Sequence, residues 1–359
     1  MNTNKIGIII PSNIMMAPYL QYYTSILDKE EVKYITISWN RFGLQEKADY
    51  IFNFRTENSN RKRVLVGHIR FALFCKKVIK KEKINKIIIL TIAPAFFLGV
   101  RFLNKYRERL IIDVRDDTPF RKKFPGLFKR VVDKAYMIAV SSFMFSDWFE
   151  RETILCHNVD SDMIARYKND KPKVPSIDKI RLVFAGSMRE EKMNIQIVDT
   201  LKNDKRYTLC YIGRQNAGQS EIRNYVKENS IWNVMFEGAY VKEDIVDIYR
   251  EKADLVNAFR EESSINTNAL PNKLYDAALS GVPIAVFSHN VAMATYVSRF
   301  SLGIVINEDM SLLKDSIFDA MKTFDYCAFK KGREEFINQV EMDNKKFEIK
   351  VLEFLHSLQ

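Results

Sequence analysis

At 359 residues the chain is long for one hydrophobic core, so two domains are expected. Its 47% hydrophobic and 28% charged content excludes a disordered polymer, and its longest apolar run, 87–100, is too short and too interrupted to span a bilayer. The net charge of +11 is unevenly placed: residues 1–175 hold 32 Lys and Arg against 18 Asp and Glu (+14), and residues 176–359 hold 24 against 27 (−3), so the first half is suited to an anionic neighbour.

Strands are expected at 6–10, 34–38, 87–92, 110–114 and 137–140, with amphipathic stretches between them. The first follows Lys5 directly and is closed by Pro11, which reads as a buried strand and not a signal peptide. Ser12 and Asn13 leave it in a loop without glycine, so they are expected to touch a sugar or an acceptor and not phosphate. Over 64–83, helical periodicity gathers Arg63, Arg70, Lys77, Lys80 and Lys81 into an arc of roughly 100°. Ile69, Phe71, Ala72, Cys75, Val78 and Ile79 fill most of the opposite side. That face is either ordinary solvated surface or a dock for anionic lipid. A second basic-aromatic stretch follows at 120–130.

The strand at 110–114 runs out through Asp113, Arg115, Asp116 and Asp117. These acids form either a strand-end network neutralised by Arg115 or a metal-binding acid cluster, although no second cluster of metal ligands is visible in the sequence. Periodicity breaks at 169–176 around Asn169, Pro172 and Pro175, giving a first domain of 1–168, a linker, a second domain of 177–334 and a helical tail of 335–359. The tail can pack back on the first domain. The second half repeats the rhythm with strands at 182–185, 208–212, 234–236, 254–258, 284–287 and 303–306. Two Rossmann-like α/β domains with parallel sheets follow, and ligands of such sheets bind beyond the carboxyl ends of the strands.

Three of those strand exits carry the chemistry. Gly186 and Ser187 permit close backbone approach and are followed by Arg189 and Lys192, a combination suited to a diphosphate. Tyr240 follows the strand at 234–236, as a base-stacking ring or as cover for the core. The segment 271–284 reads as a short helix capped by Asn272, stopped by Gly281 and run into a buried strand. Its Lys273 and helix N-terminus suit phosphate, and Asp276, one turn on, suits the vicinal hydroxyls of a ribose. Cys75, Cys156, Cys210 and Cys327 have no metal-ligand spacing and fit reduced thiols in a cytoplasmic protein.

The segment 271–284 also resembles the donor segment of GT-B glycosyltransferases, especially the retaining group called glycosyltransferase family four. There an acid lies five positions before a Gly-x-Pro, as Asp276 does before Gly281. Of the family's two glutamates eight positions apart, Asp276 matches the second, and Asn268 stands in place of the first. In the family's Gly-Arg…Lys-Gly loop, Lys192 matches the lysine, Ser187 takes the arginine's position, and Arg189 is a displaced substitute. The family often carries Asp-x-Arg-Asp here, facing an interdomain cleft, which implies Asp116 as the catalytic candidate, positioning or deprotonating an acceptor hydroxyl or orienting the donor sugar; His157-Asn158 resembles the family's Asn-Gly before the linker.

The resemblance implies an α/β protein of GT-B architecture, with two Rossmann-like domains facing across a cleft. It implies a donor site of Gly186, Ser187, Arg189, Lys192, Tyr240, Asn272, Lys273 and Asp276, with Ser12 and Asn13 on the acceptor side. The expected activity moves a sugar from a nucleoside-diphosphate sugar to a glycan or lipid-linked acceptor, as in bacterial capsule or O-antigen assembly. No metal, other cofactor or nucleic acid is expected, and the protein is expected at the cytoplasmic face of an anionic membrane. The rivals are a nucleotide-sugar epimerase of the same fold and a noncatalytic basic protein that binds membrane or nucleic acid.

Overall fold

A computed structural model describes residues 5–56 and 60–357. They divide into two compact units, one formed by residues up to His157 together with those from Asp343 onward, the other by Asn158–Met342. The division thus falls ahead of the 169–176 segment that sequence reading took as the linker.

In the first unit, seven parallel strands stand in the order β3-β2-β1-β4-β5-β6-β7. They are β1 (Ile6–Ile10), β2 (Tyr34–Asn40), β3 (Tyr50–Asn53), β4 (Lys86–Leu90), β5 (Leu110–Val114), β6 (Met137–Val140) and β7 (Ile154–Leu155). β1, β4, β5 and β6 are buried along their whole length, as Ile- and Val-rich runs covered on both faces must be. The order reverses between β1 and β4, which fixes where loops diverge and a crevice opens. The second unit repeats this logic with β10-β9-β8-β11-β12-β13. Its strands are β8 (Ile180–Ala185), β9 (Tyr207–Ile212), β10 (Val234–Glu237), β11 (Leu255–Asn257), β12 (Ile284–Phe287) and β13 (Gly303–Ile306).

The helices of the first unit are sided. One face of its sheet, through Ile9, Ile87, Ile89 and Ile112, packs on α2 (Arg61–Lys81), α3 (Ala93–Leu98), α4 (Val100–Leu103) and α6 (Pro125–Val132). The short helix α5 (Pro119–Lys123) joins them through Phe120, whose ring lies 5.1 Å from that of Phe96. The other face, through Ile8, Ile10, Ile88 and Leu90, packs on α1 (Gln21–Lys29) and on Phe347, Val351 and Phe354 of the final helix, Tyr326–His356. Lys86, fully buried, fastens that helix: its ammonium donates to the carbonyls of Phe354 (2.5 Å), Leu355 (3.0 Å) and Ser357 (3.0 Å). Helix ends leave such carbonyls without partners, and a cation there also meets the negative end of the helix dipole. His157, also buried, lies 3.2 Å from the carboxylate of Asp343 and takes Asn344 Oδ1 on its backbone N–H, a structural role.

Ile69 departs from the sequence reading. It sits on the outward side of α2 with 47% of its surface exposed, because Gly67 and Phe71 already occupy the inward arc against Trp39.

Candidate functional site

The second unit holds a pocket of about 390 Å³ at the carboxyl ends of β8 and β11, neighbours in its sheet where the strand order reverses. Gly186, Ser187, Arg189, Tyr240, Asn272, Lys273 and Asp276 all line it. Gly186 leaves β8 with φ +134, a conformation side chains rarely adopt. The β9 exit presses directly against it, since a Cβ on Gly213 would come 2.4 Å from the Gly186 carbonyl. Asn216 then donates to Ser187 Oγ (3.2 Å) and to the Met188 carbonyl (3.3 Å), which sets the loop before the helix Glu191–Leu201.

The helix Asn272–Ser280 supplies the two central groups. Pro271, not Asn272, is its N-cap, and no side chain caps it; Asn272 is the first helical residue and is exposed. Its far end is fixed as expected by Gly281 in the left-handed region (φ 66). Lys273 lies with its ammonium 3.7 Å from the centre of the Phe184 ring and forms no hydrogen bond or salt bridge among the described residues. Burial, reinforced by Arg260, lowers its pKa to about 8, against the pull of Asp276 and Glu190. The Asp276 carboxylate likewise makes no hydrogen bond or salt bridge among the described residues. Burial raises its pKa to about 7, with Lys273 and Lys242 opposing the rise, although part of the residue still meets solvent. Tyr240 is half-buried beside it, and burial and the Asp276 charge both push its phenol up.

Three pocket residues escaped sequence reading. Arg260 leaves β11, and its guanidinium stands 3.6 Å from Glu190. Glu190 also accepts from the Glu261 N–H and from Asn266, both at 3.0 Å, which fixes the floor of the loop. Lys242 is exposed at the rim in a single turn, Lys242–Asp244. The rule that ligands meet strand exits could have found Arg260, three residues past the buried strand β11; no local pattern marks Lys242.

One expected donor contact lies outside the pocket wall. Lys192 is exposed on the first turn of its helix and is absent from the pocket wall, because the helix begins at Glu191 and turns the side chain away. Lys192→Ala is therefore expected to leave nucleoside diphosphate affinity within about twofold of the parent by calorimetry, as for a solvated surface cation. Asn268 is also outside the wall; its amide donates back to the Ser264 carbonyl at 2.8 Å.

In the first unit, Asn13 is fully buried and its amide is consumed internally. It donates to Asn40 and Glu46, both at 2.8 Å, and accepts from the N–H groups of Arg41 (3.1 Å) and Phe42 (3.2 Å). It thus has no exposed atom for the acceptor contact expected of it; Ser12 beside it stays partly exposed. Asp113 is buried in a two-pronged pair with Arg115 (2.6 and 2.8 Å) and accepts from the Tyr23 hydroxyl at 2.8 Å. Asp117 accepts the Thr118 N–H at 2.8 Å. Asp116 alone of the three acids is exposed. Among the described residues, no group of three or more His, Cys, Asp or Glu side chains is placed to hold a metal ion.

No protein-family model and no curated protein matches the sequence. Solved structures do match in fold. The chain is similar to a sucrose-phosphate synthase from Thermosynechococcus elongatus at 12% identity and TM-score 0.66, covering 96% of this chain and 97% of that one. It is similar to the lipopolysaccharide outer core galactosyltransferase WaaB at 13% and 0.63, covering 96% and 99%. It is also similar to a UDP-N-acetylglucosamine 2-epimerase from Rickettsia bellii at 12% and 0.62, covering 99% and 97%. These likenesses extend over both units and show an α/β fold of GT-B architecture.

Proposed function

We propose that the chain is a glycosyltransferase that binds a nucleoside-diphosphate sugar in the pocket of its second unit. The observation that carries this reading is the pair Lys273 and Asp276, two ionisable groups held in one pocket without a protein partner. Burying such groups unpaired costs stability, and perturbed pairs of this kind cluster at functional sites. A diphosphate would complete Lys273, with Arg189 and Arg260 sharing its charge, and ribose hydroxyls would complete Asp276. The same cations would then stabilise charge developing on the departing diphosphate, a role a metal would otherwise fill.

The finer reading follows the resemblance to glycosyltransferase family four: a retaining transfer to a glycan or lipid-linked acceptor in bacterial surface polysaccharide synthesis, at the cytoplasmic face of the membrane. Asp116 is the candidate on the acceptor side because it is the exposed acid of its cluster. A thermal-shift screen of nucleoside diphosphates tests the donor site directly, since a ligand that binds the folded state raises its melting temperature. Incubating the responding nucleotide sugar without acceptor separates transfer from epimerisation: an epimerase converts it alone, whereas the transferase leaves its sugar configuration unchanged. A flat screen would remove the donor site.

A further inference from the structure

The helices on one face of the first unit, α2 to α6, contain no aspartate or glutamate. Lys129 of α6 is paired with Glu150, and Arg121 of α5 with Asp117, but no cation of α2 forms a salt bridge among the described residues. Arg63 and Arg70 lie over the Phe54 ring, each at 5.0 Å, and Lys81 over Tyr50 at 5.1 Å, so one flank of α2 is a cationic border held in place by aromatic rings.

The crest of the same helix is apolar. Leu65, Val66, Ile69 and Leu73 expose 46–53% of their surface on the side opposite Phe71, Val78 and Ile79, which fill the core. At 100° per residue these four side chains fall in one arc of roughly 100°, with Lys62 before them and Lys80 beyond them on the same line. A helix with one apolar face packed on its own sheet has no structural need for a second one exposed.

We propose that α2 docks the protein on an anionic lipid bilayer, its four exposed aliphatic side chains entering the headgroup–acyl boundary and its lysines meeting lipid phosphate. Interfacial helices combine these two terms, apolar insertion and electrostatic attraction. The charge selects this partner. A second copy would bring two carboxylate-free helices together, and a nucleic acid backbone would gain nothing from aliphatic side chains at the centre of the contact. The inference does not rest on the nucleotide reading, since α2 belongs to the first unit and the pocket to the second.

The test is co-sedimentation with vesicles of phosphatidylcholine alone or mixed with phosphatidylglycerol, across a salt series. The parent protein should prefer the anionic vesicles and lose affinity with salt, yet retain a salt-resistant remainder from insertion. The triple variant Leu65→Ser, Ile69→Ser, Leu73→Ser should bind roughly tenfold more weakly and lose that remainder. Lys77→Glu with Lys80→Glu should bind roughly tenfold more weakly at low salt. All these positions are exposed, so folding is checked by circular dichroism and by an unchanged nucleoside diphosphate thermal shift. Equal binding to neutral vesicles, or a triple variant that binds like the parent, would overturn the proposal. So would self-association of the parent in solution that the triple variant abolishes.

Discussion

Lys273→Met is expected to lower nucleoside diphosphate affinity by roughly 10- to 100-fold, the ~1.5–3 kcal/mol of a charged hydrogen bond, while leaving the empty protein at least as stable. The ammonium of the half-buried Lys273 lies against the Phe184 ring and forms no salt bridge among the described residues, so the folded state disfavours its charge and lowers its pKa to about 8. That penalty is complete below pH 8 and fades as pH rises towards the ordinary lysine value of 10.5. Any gain in melting temperature from methionine should follow the same window. Diphosphate affinity of the parent should fall as pH rises through about 8, where Lys273 loses its proton. Asp276 sets the lower limit: its carboxyl gains a proton as pH falls through about 7 and becomes a poorer acceptor for ribose hydroxyls. Affinity should therefore peak between these values, and Asp276→Asn should remove the acid limb of the profile. Titration calorimetry across pH measures both limbs, and a Lys273→Met protein that keeps its affinity would sink the donor assignment.

Lys86→Met should destabilise the first unit by about 2–4 kcal/mol, the range for leaving buried partners of a charged group without it. Three carbonyls at the end of the final helix converge on this one ammonium, and methionine can fill its volume but donate to none of them. The loss should appear first in the final helix, as faster amide exchange from about residue 347 onward, while a nucleoside diphosphate still shifts the melting of the second unit. Unchanged exchange there would mean that packing of Phe347, Val351 and Phe354 holds the helix without its cap.

The sheets were legible because their strands are apolar runs buried on both faces; β1, β5, β6, β12 and β13 occupy the spans that periodicity marks. The strands that escaped, β3 and β7, lie at the sheet edges, where four and two residues, none of them buried, carry no such run. Most of the candidate site was legible where a residue type must sit at a strand exit, as at Gly186, or a fixed distance before a helix stop, as at Asp276. Lys192 and Asn13 were not, because rotation about a helix and the partners of a buried amide are set by distant chain, by Glu46 and Arg41 in the second case. Ile69 misled for a related reason: a helix with apolar side chains on two faces does not announce in its pattern which face the sheet takes.

The divided first unit has a consequence for synthesis on the ribosome. Its leading 157 residues emerge with one sheet face lacking the cover of Phe347, Val351 and Phe354, and the whole second unit must be translated before that cover exists. At ordinary elongation rates the delay over these roughly 200 residues is about 10–40 s. Through that interval the nascent chain presents Ile8, Ile10, Ile88 and Leu90 partly uncovered, with the Lys86 ammonium still waiting for its carbonyls. The second unit is continuous in sequence and has all its residues before the first unit does, although the first is begun earlier.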